Sequence, residues 1–443
     1  MDCASIFKNK RITLLGLGLL GRGVGDAEFL AHCGADVLVT DTKTEGELAE
    51  SVARLKKYPN VTFHLGGHKK EDFENCDLVI KSAGVRLDSP EIAAAHAAGV
   101  TVAMSTALFA KYASGAGAII VGVTGTRGKT TVSHMIHHVL IRANKNTVLG
   151  GNVRGVSTLA MLPNIKKGDI AVLELDSWQL QGFGDLKISP NISVFTNLMP
   201  DHQNYYPDMD TYFADKANIF RYQKAGDVLI VGAAITDRIR AAELLLDPII
   251  PEHIPSDWKL KIVGEHNREN ASFANAALQA LGLSDDEIKA GIESFEGVDG
   301  RLQFVRELNG VKFYNDNNAT TPEATIAALR ALDSVATLII GGSEKGLALD
   351  ELVSEIKKRV SNVILLIHPN YKGSTRLAES LQKAVIAYEE AHEFSAAITS
   401  ALEKTKTGTV LFSPAFASFG MFKNEYERND QFLAIVRQME GAA

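Results

Sequence analysis

The chain has 443 residues, 46% of them hydrophobic and 22% charged, with a formal net charge of -7 and only three cysteines. That length predicts about two to four domains, and the acidic balance excludes a general nucleic-acid or anionic-membrane surface. Cys3, Cys33 and Cys76 are too few and too scattered for a disulfide framework or a zinc site. No apolar run approaches the roughly 20 residues that span a bilayer, and the first residues show no leader pattern, so a cytoplasmic protein is expected.

In chain order, Arg11 to Leu15 reads as a strand, followed by Gly16-Leu-Gly18-Leu-Leu-Gly21, a helix through His32, and a second strand Val37 to Thr40 ending at Asp41. This is the dinucleotide-fold fingerprint, with an acidic residue where a ribose hydroxyl would sit. A dehydrogenase would use such a turn for its cofactor; the turn can equally hold the diphosphate of a nucleotide-linked substrate. Further alternation, Leu78 to Lys81 as strand and Glu91 to Ala98 as helix, makes residues 1–112 one parallel α/β domain. The small-residue run Ala113-Ser-Gly-Ala-Gly117 reads as a linker.

A second domain, 113–300, begins with Val121-Gly-Val-Thr-Gly125-Thr126-Arg127-Gly128-Lys129-Thr130-Thr131. The β-branched run before it and the helical spacing after it make a strand, a glycine-rich turn and a helix start. Such a turn cradles phosphate. Successive N–H groups face one anion, the helix N-terminus adds positive charge, Lys129 reaches the terminal phosphates as a solvent-facing cation, and the Thr130 hydroxyl can take a Mg²⁺ position. The general pattern wants a glycine at 123, where this chain has Val123.

Strand-like runs recur at Ile170 to Leu175, Ile192 to Asn197 and Val228 to Val231. Glu174 ends the first of these, at the edge shared with the phosphate loop, where a carboxylate can bind the nucleotide's Mg²⁺. His202 follows the second, and Lys216 lies on a predicted helix; by themselves a loop His reads as solvated and a helical Lys as a surface charge. Gly264 to Asn270 precedes an alanine-rich helix, as a cap or as contacts to a base. Gly297-Val-Asp-Gly300-Arg301 reads as a hinge, with Arg301 placed to touch phosphate. Strands at Thr337 to Ile340, Val363 to Ile367 and Thr409 to Phe412, alternating with helices, make 301–443 a third α/β domain. The fold class is therefore α/β with three domains, the outer two Rossmann-like and the central one a phosphate-loop ATPase-type parallel sheet.

Taken together, Gly125-Thr-Arg-Gly-Lys-Thr130, Gly150-Gly-Asn152, Glu174 with Ser177 and Gln179, Asp201-His202, Lys216, His266-Asn267, Arg301, Tyr314-Asn-Asp316, Ala319-Thr320, Gly341-Gly-Ser-Glu-Lys345 and Ser413-Pro-Ala with Ala417-Ser418-Phe419 and Lys423-Asn424 resemble the Mur ligase family. The resemblance runs through the whole chain in the family's order. It implies ATP-dependent amide synthesis in cytoplasmic peptidoglycan precursor assembly, by a monomer, with UDP-N-acetylmuramoyl-L-alanine and glutamate as substrates.

By the same resemblance, Gly18, Leu19, Leu20, Asp41, Thr42, Lys43, Asn152, Ser177 and Gln179 would meet the uridine-nucleotide substrate. Gly125, Thr126, Arg127, Gly128, Lys129, Thr130, Thr131, Asn267, Asn270, Arg301 and Asp316 would meet ATP. Thr320, Lys345, Ser418 and Phe419 would meet the amino acid. Thr130, Glu174, His202 and a carbamate on Lys216 would hold Mg²⁺, and Lys129, His202, Lys216 and Lys345 would be catalytic. Two positions depart from the family's usual pattern: Asn318 stands where Lys is common, and Glu425 where an aromatic residue is. Both fall around the amino-acid pocket, so D-glutamate is expected with L-glutamate as the alternative. A folylpolyglutamate synthetase-like ligase shares the loop and the lysine but lacks the first domain.

Overall fold

The computed structural model describes residues 3–17, 21–201, 205–242 and 245–439. These form two compact units, one running up to Ile254 and adding Asn270–Gly291, the other made of Pro255–Glu269 and the chain from Ile292 onward.

The first unit holds two five-stranded parallel sheets. In the first sheet, β1 (Arg11–Leu15), β2 (Asp36–Asp41), β3 (Val61–Leu65), β4 (Leu78–Lys81) and β5 (Thr101–Ala103) lie in the order β3-β2-β1-β4-β5. Leu15 pairs with Thr40 on one side and Lys81 on the other, so the chain reverses its winding at β1 and opens a crevice at the carboxyl ends. In the second sheet, β6 (Ile119–Thr124), β7 (Thr147–Gly151), β8 (Ile170–Glu174), β9 (Ile192–Phe195) and β10 (Val228–Val231) take the order β10-β9-β6-β8-β7. Here β6 is central, with Val123 beside Glu174 of β8 and Val194 of β9.

Side-chain alternation assigns the faces. In β4, Leu78 and Ile80 join the large cluster that also takes Leu173 and Phe195 of the second sheet, while Val79 joins a smaller one with Phe73 and Ile92. One continuous apolar core therefore underlies both sheets of this unit. The capped helices carry site residues: Asp176 accepts from the Gln179 amide in a capping box, and Asp208 accepts from the Thr211 amide ahead of the helix bearing Lys216.

The second unit is built on one six-stranded sheet of β11 (Gln303–Leu308), β12 (Val311–Asn315), β13 (Val335–Ile340), β14 (Val360–Leu366), β15 (Glu389–Ala391) and β16 (Gly408–Phe412), in the order β11-β12-β16-β13-β14-β15. Only the β11–β12 hairpin is antiparallel. Leu338 and Ile340 face one core cluster, Ile339 the other.

Two sequence readings are corrected here. Ala113 to Gly115 is not a linker but the end of the helix Ser105–Gly115, with Ala113 fully buried. The segment from His266 to Asn270 does not precede a helix; it forms the first turns of Glu265–Ala280, which starts after Gly264 at a φ of 99°.

Asp26, on the helix Arg22–His32, is buried and accepts from the Ser157 hydroxyl at 2.6 Å. Burial pushes its carboxyl up to about 6, against the opposing pull of Ser157, Ser105 and Arg22. A carboxyl raised on folding adds stability at low pH that is lost as pH rises through about 6. Asp26→Asn is therefore expected to flatten the pH dependence of the melting temperature, gaining on the order of 2–3 kcal/mol over the parent by pH 8 and nothing below pH 4. Thermal melts across that range check it; an unchanged slope in the variant would refute the assignment.

Candidate active site

The phosphate loop leaves β6 and turns into the helix Lys129–Arg142. Its shape is imposed by the segment after β9. Thr126 N donates to the Asn197 carbonyl at 2.9 Å, Arg127 N to the Asn197 side-chain oxygen at 2.8 Å, and the Thr196 hydroxyl to the Arg127 carbonyl at 2.6 Å. Two glycines are required. A Cβ on Gly125 would stand 2.0 Å from the Thr196 hydroxyl oxygen, and one on Gly128 2.5 Å from Asn270 Oδ1, both at positive φ.

Lys129 is half-buried rather than solvent-facing, and its Nζ donates to the carbonyls of Gly125 at 2.9 Å and Thr126 at 3.1 Å. Lys216 comes from a different element, the helix Met209–Ala217. It is 1% exposed, and its Nζ donates to the same Gly125 carbonyl at 3.0 Å and to Thr124 Oγ1 at 3.3 Å, with the Tyr212 ring centroid 4.8 Å away. Burial, reinforced by the nearby charge of Lys129, holds the Lys216 amine well below its usual range; Asp176, Asp201 and Asp215 oppose the shift.

Glu174 is buried at the end of β8, in register with Val123. Thr130 lies in the first turn of the loop's helix. A hydroxyl on the first turn of that helix and a carboxylate at the end of β8 are oxygen donors of the kind Mg²⁺ takes alongside water and phosphate oxygens. Among the described residues there is no group of three or more His, Cys, Asp or Glu placed to hold a metal ion. His202 lies outside the described residues.

On the first sheet, Asp41 ends β2, and its carboxylate accepts from Leu17 N and Lys43 N, each at 2.9 Å. That bond set ties the glycine turn to the Thr42-Lys43 segment. Gly18, Leu19 and Leu20 lie outside the described residues. Asn152 accepts from the Arg22 guanidinium at 3.0 Å and stays half-exposed. Ser177 and Gln179 are buried, and the Gln179 amide is engaged at both ends, accepting from Asp176 N and donating to Thr106. Its geometry is that of a helix cap.

In the second unit, the carboxyl ends of three adjoining strands, β12, β16 and β13, present the loops 316–321, 413–419 and 341–345. The Asp316 carboxylate accepts from Leu302 N at 3.1 Å and from the Ser413 hydroxyl at 2.8 Å, and burial pushes it up to about 7. Arg301, next to Leu302, is exposed. Lys345 Nζ donates to the Thr320 hydroxyl at 3.0 Å. Ser343 bridges to Ala417 and its hydroxyl reaches the Phe419 carbonyl, so Ser418 and the 60% exposed Phe419 lie beside the Lys345 loop. Thr320, Lys345, Ser418 and Phe419 are thus gathered at one sheet edge. Asn267 donates to the Val263 carbonyl at 2.8 Å.

Three charged residues that the sequence reading passed over are withdrawn from solvent, Lys81 and Arg428 fully and Asp215 in part. Lys81 ends the apolar strand Leu-Val-Ile-Lys, the same signal that singled out Glu174. Asp215 precedes Lys216. Arg428 is fully buried, spaced with Phe432 and Val436 on one helical stripe; its guanidinium donates to the Asn317 side chain and carbonyl, each at 2.8 Å, and to the Phe416 carbonyl at 3.3 Å. It thereby fastens the 316–321 and 413–419 loops together.

A glycine-rich loop clamped at the end of a central parallel strand, with a cation folded onto it and a buried lysine beneath, defines a phosphate-loop α/β enzyme of the nucleotide-using kind. Three family descriptions match the chain: Mur ligase MurD-like, N-terminal domain (10–104), Mur ligase middle domain (123–243) and Mur ligase, glutamate ligase domain (300–416). The chain is 35% identical to the UDP-N-acetylmuramoylalanine–D-glutamate ligase of Roseiflexus sp. (strain RS-1), over 96% of this chain and 98% of that one. It is 32% identical to the protein of the same name from Borreliella afzelii (strain PKo), over 97% and 98%. The chain belongs to the Mur ligase family. Among solved structures, the fold is shared with the UDP-N-acetylmuramate-alanine ligase MurC of Thermotoga maritima, at a TM-score of 0.61 and 20% identity over 98% of this chain and all of that one. It is shared also with E. coli FolC, at 0.56 and 16% over 76% and 93%.

Arg428→Met keeps the apolar stem and removes three donors from buried carbonyl and amide oxygens. It is expected to cost on the order of 3 kcal/mol or more, read by urea unfolding. A loss below about 1 kcal/mol would show that those acceptors find other donors.

Proposed function

We propose that this chain is an ATP-dependent ligase that joins D-glutamate to the alanyl carboxylate of UDP-N-acetylmuramoyl-L-alanine, working in the cytoplasm. The observation that carries this reading is the near-complete coverage of both chains in the match to the Roseiflexus ligase. Among the described residues no helix is long and apolar enough to cross a membrane. The folylpolyglutamate synthetase-like reading gives way because a MurD-like N-terminal domain occupies 10–104.

The chemistry asks for activation of a poor electrophile. The alanyl carboxylate oxygen attacks the γ-phosphorus of ATP, ADP leaves, and an acyl phosphate remains. The glutamate amine then adds to the acyl carbon, the tetrahedral intermediate loses its proton and expels phosphate, and the amide is left. The loop N–H groups and Lys129 would stabilise the charge spread over the transferring group. Bound Mg²⁺, held by Thr130 and Glu174, would neutralise phosphate charge. In the second unit, Lys345 with Thr320 and Ser418 supplies a cation and two hydroxyls, a donor set matched to a dicarboxylate.

Lys216 is the residue whose chemistry changes most under this reading. A buried amine kept below its usual range spends more time neutral, and the neutral amine is the form that adds to CO2, losing a proton to give a carbamate. An anionic oxygen there would stand in place of an ammonium and could serve as a further oxygen ligand for Mg²⁺. Lys216→Ala is expected to lose about 100-fold or more in turnover, by analogy with other lost electrostatic stabilisers. A short carboxylate in the medium should restore part of it, and the absence of any rescue would count against the carbamate.

The deciding measurement for the reaction is phosphate release with UDP-N-acetylmuramoyl-L-alanine and each glutamate enantiomer in parallel. D-glutamate is expected to give the higher kcat/KM. Faster turnover with L-glutamate would overturn the stereochemical assignment, and no reaction with either would overturn the substrate assignment.

A further inference from the structure

Lys81 stands where the first sheet meets the elements of the second, and the phosphate-loop mechanism does not use it. It is 2% exposed at the carboxyl end of β4, paired with Leu15, and immediately precedes Ser82, whose amide donates to the Leu15 carbonyl. Its ammonium bonds in two directions. One donation, 3.2 Å, goes to the Val85 carbonyl at the far end of the Ser82–Val85 loop; the other, also 3.2 Å, goes to Gln181 Oε1 on the helix Ser177–Asp185.

Gln181 passes the contact on. Its Nε2 donates to Asp215 Oδ2 at 2.8 Å and to the Tyr205 hydroxyl at 3.1 Å. Asp215 Oδ2 also accepts from the Tyr206 hydroxyl at 2.9 Å. Asp215 is the residue before Lys216, in the last turn of the helix Met209–Ala217. The sequence of groups is therefore ammonium, amide oxygen, amide N–H₂, carboxylate. A positive charge on one side and a negative charge on the other select a single orientation of the amide, so that neither end can flip without placing like dipoles together.

A second tie runs alongside the first. Arg86, next to Val85, lays its guanidinium over the Tyr205 ring at 4.8 Å and donates to the Tyr205 carbonyl at 3.4 Å. The Ser82–Arg86 segment is thus fastened to the 205–206 segment and to the Lys216 helix by independent contacts. Nothing comparable is needed to hold the fold, because the shared apolar core already joins the two sheets. A buried ammonium is costly unless its partners repay the lost hydration; burial brings Lys81 down to about 8, with Asp185, Asp176 and Asp215 pulling the other way. A hydrophobic residue at this place would pack at least as well.

We infer that Lys81 is a positioning residue for Lys216: through Gln181 and Asp215 it ties the loop beside the nucleotide-sugar turn to the helix carrying the reactive lysine, fixing that lysine's placement under the phosphate loop. The inference rests on the proposed ligase reaction and on Lys216 acting in it. Lys81 touches no reacting atom. Its loss should lower turnover without abolishing ATP binding, since Gly125, Gly128 and the Thr196-Asn197 clamp remain in place.

The test uses the full chain. Lys81→Met removes the ammonium and keeps the stem; Gln181→Glu keeps a partner for Lys81 but replaces the donor facing Asp215 with a second carboxylate, so it breaks the relay at another link if the first variant does not fold. The expected result for each is a kcat lower by about tenfold or more with KM for ATP within about twofold, the signature of a misplaced group rather than a lost binding contact. Added bicarbonate should recover part of the loss, and a ¹³C-bicarbonate NMR spectrum should show the wild-type carbamate carbon, absent in Lys216→Ala, weakened in both variants. An unchanged kcat, or a loss confined to KM for the nucleotide sugar, would overturn the inference. A wild type with no carbamate signal would instead sink the carbamate reading, and kcat alone would then decide the role of Lys81.

Discussion

Two ammonium groups meet one carbonyl oxygen in this protein. Lys129 and Lys216 both donate to the Gly125 carbonyl, at 2.9 and 3.0 Å. Like charges so placed repel, and because Lys216 is buried while Lys129 is only half-buried, solvent screens that repulsion less than it would between two surface groups. The carbonyl compensates part of it, the Tyr212 ring face another part, and Asp176, Asp201 and Asp215 a third. An anion brought beside these two groups would relieve part of that repulsion.

That arrangement depends on the winding of the sheets. Because β6 is central between β8 and β9, three carboxyl ends converge: the loop from β6, Glu174 from β8 and the Thr196-Asn197 clamp from β9. The same rule operates in the first sheet, where Asp41 and Lys81 flank the end of β1, and in the second unit, where β12, β16 and β13 bring Asp316, Ser413 and Lys345 to one edge. Each functional cluster is a consequence of strand order. Residues far apart in sequence meet because parallel strands all end on the same side.

How much of this was legible in the sequence follows the same logic. The central strands β1, β4, β6, β8 and β9 are buried on both faces and read as unbroken apolar runs, and those were found. Of the strands absent from the sequence reading, β3, β5, β7, β11 and β15 lie at sheet edges, where the apolar signal thins to runs such as Val-Thr-Phe-His-Leu; β12 is interior but reads Val-Lys-Phe-Tyr-Asn, whereas the edge strand β10 was found from its unbroken Val-Leu-Ile-Val. The phosphate loop was legible because its glycines and lysine are consecutive. Lys81, Gln181 and Asp215 were not, because a relay through three separate elements leaves no local pattern, and Arg428 was hidden on a helical stripe that otherwise reads as core.

The two most buried cations differ in what their chemistry allows. Burial lowers the Arg428 guanidinium only to about 10, so it stays charged at any physiological pH, and its planar fork satisfies three oxygens on two loops at once. It is suited to hold a shape. Lys216 offers a single nitrogen on a flexible stem, whose proton becomes easy to lose in the same kind of surroundings. An arginine beneath the phosphate loop would lock a positive charge there permanently and oppose any cation brought in with the phosphates. A lysine can give its proton up, and with it the repulsion from Lys129, whereas the guanidinium beside Asn317 keeps its charge and its three bonds.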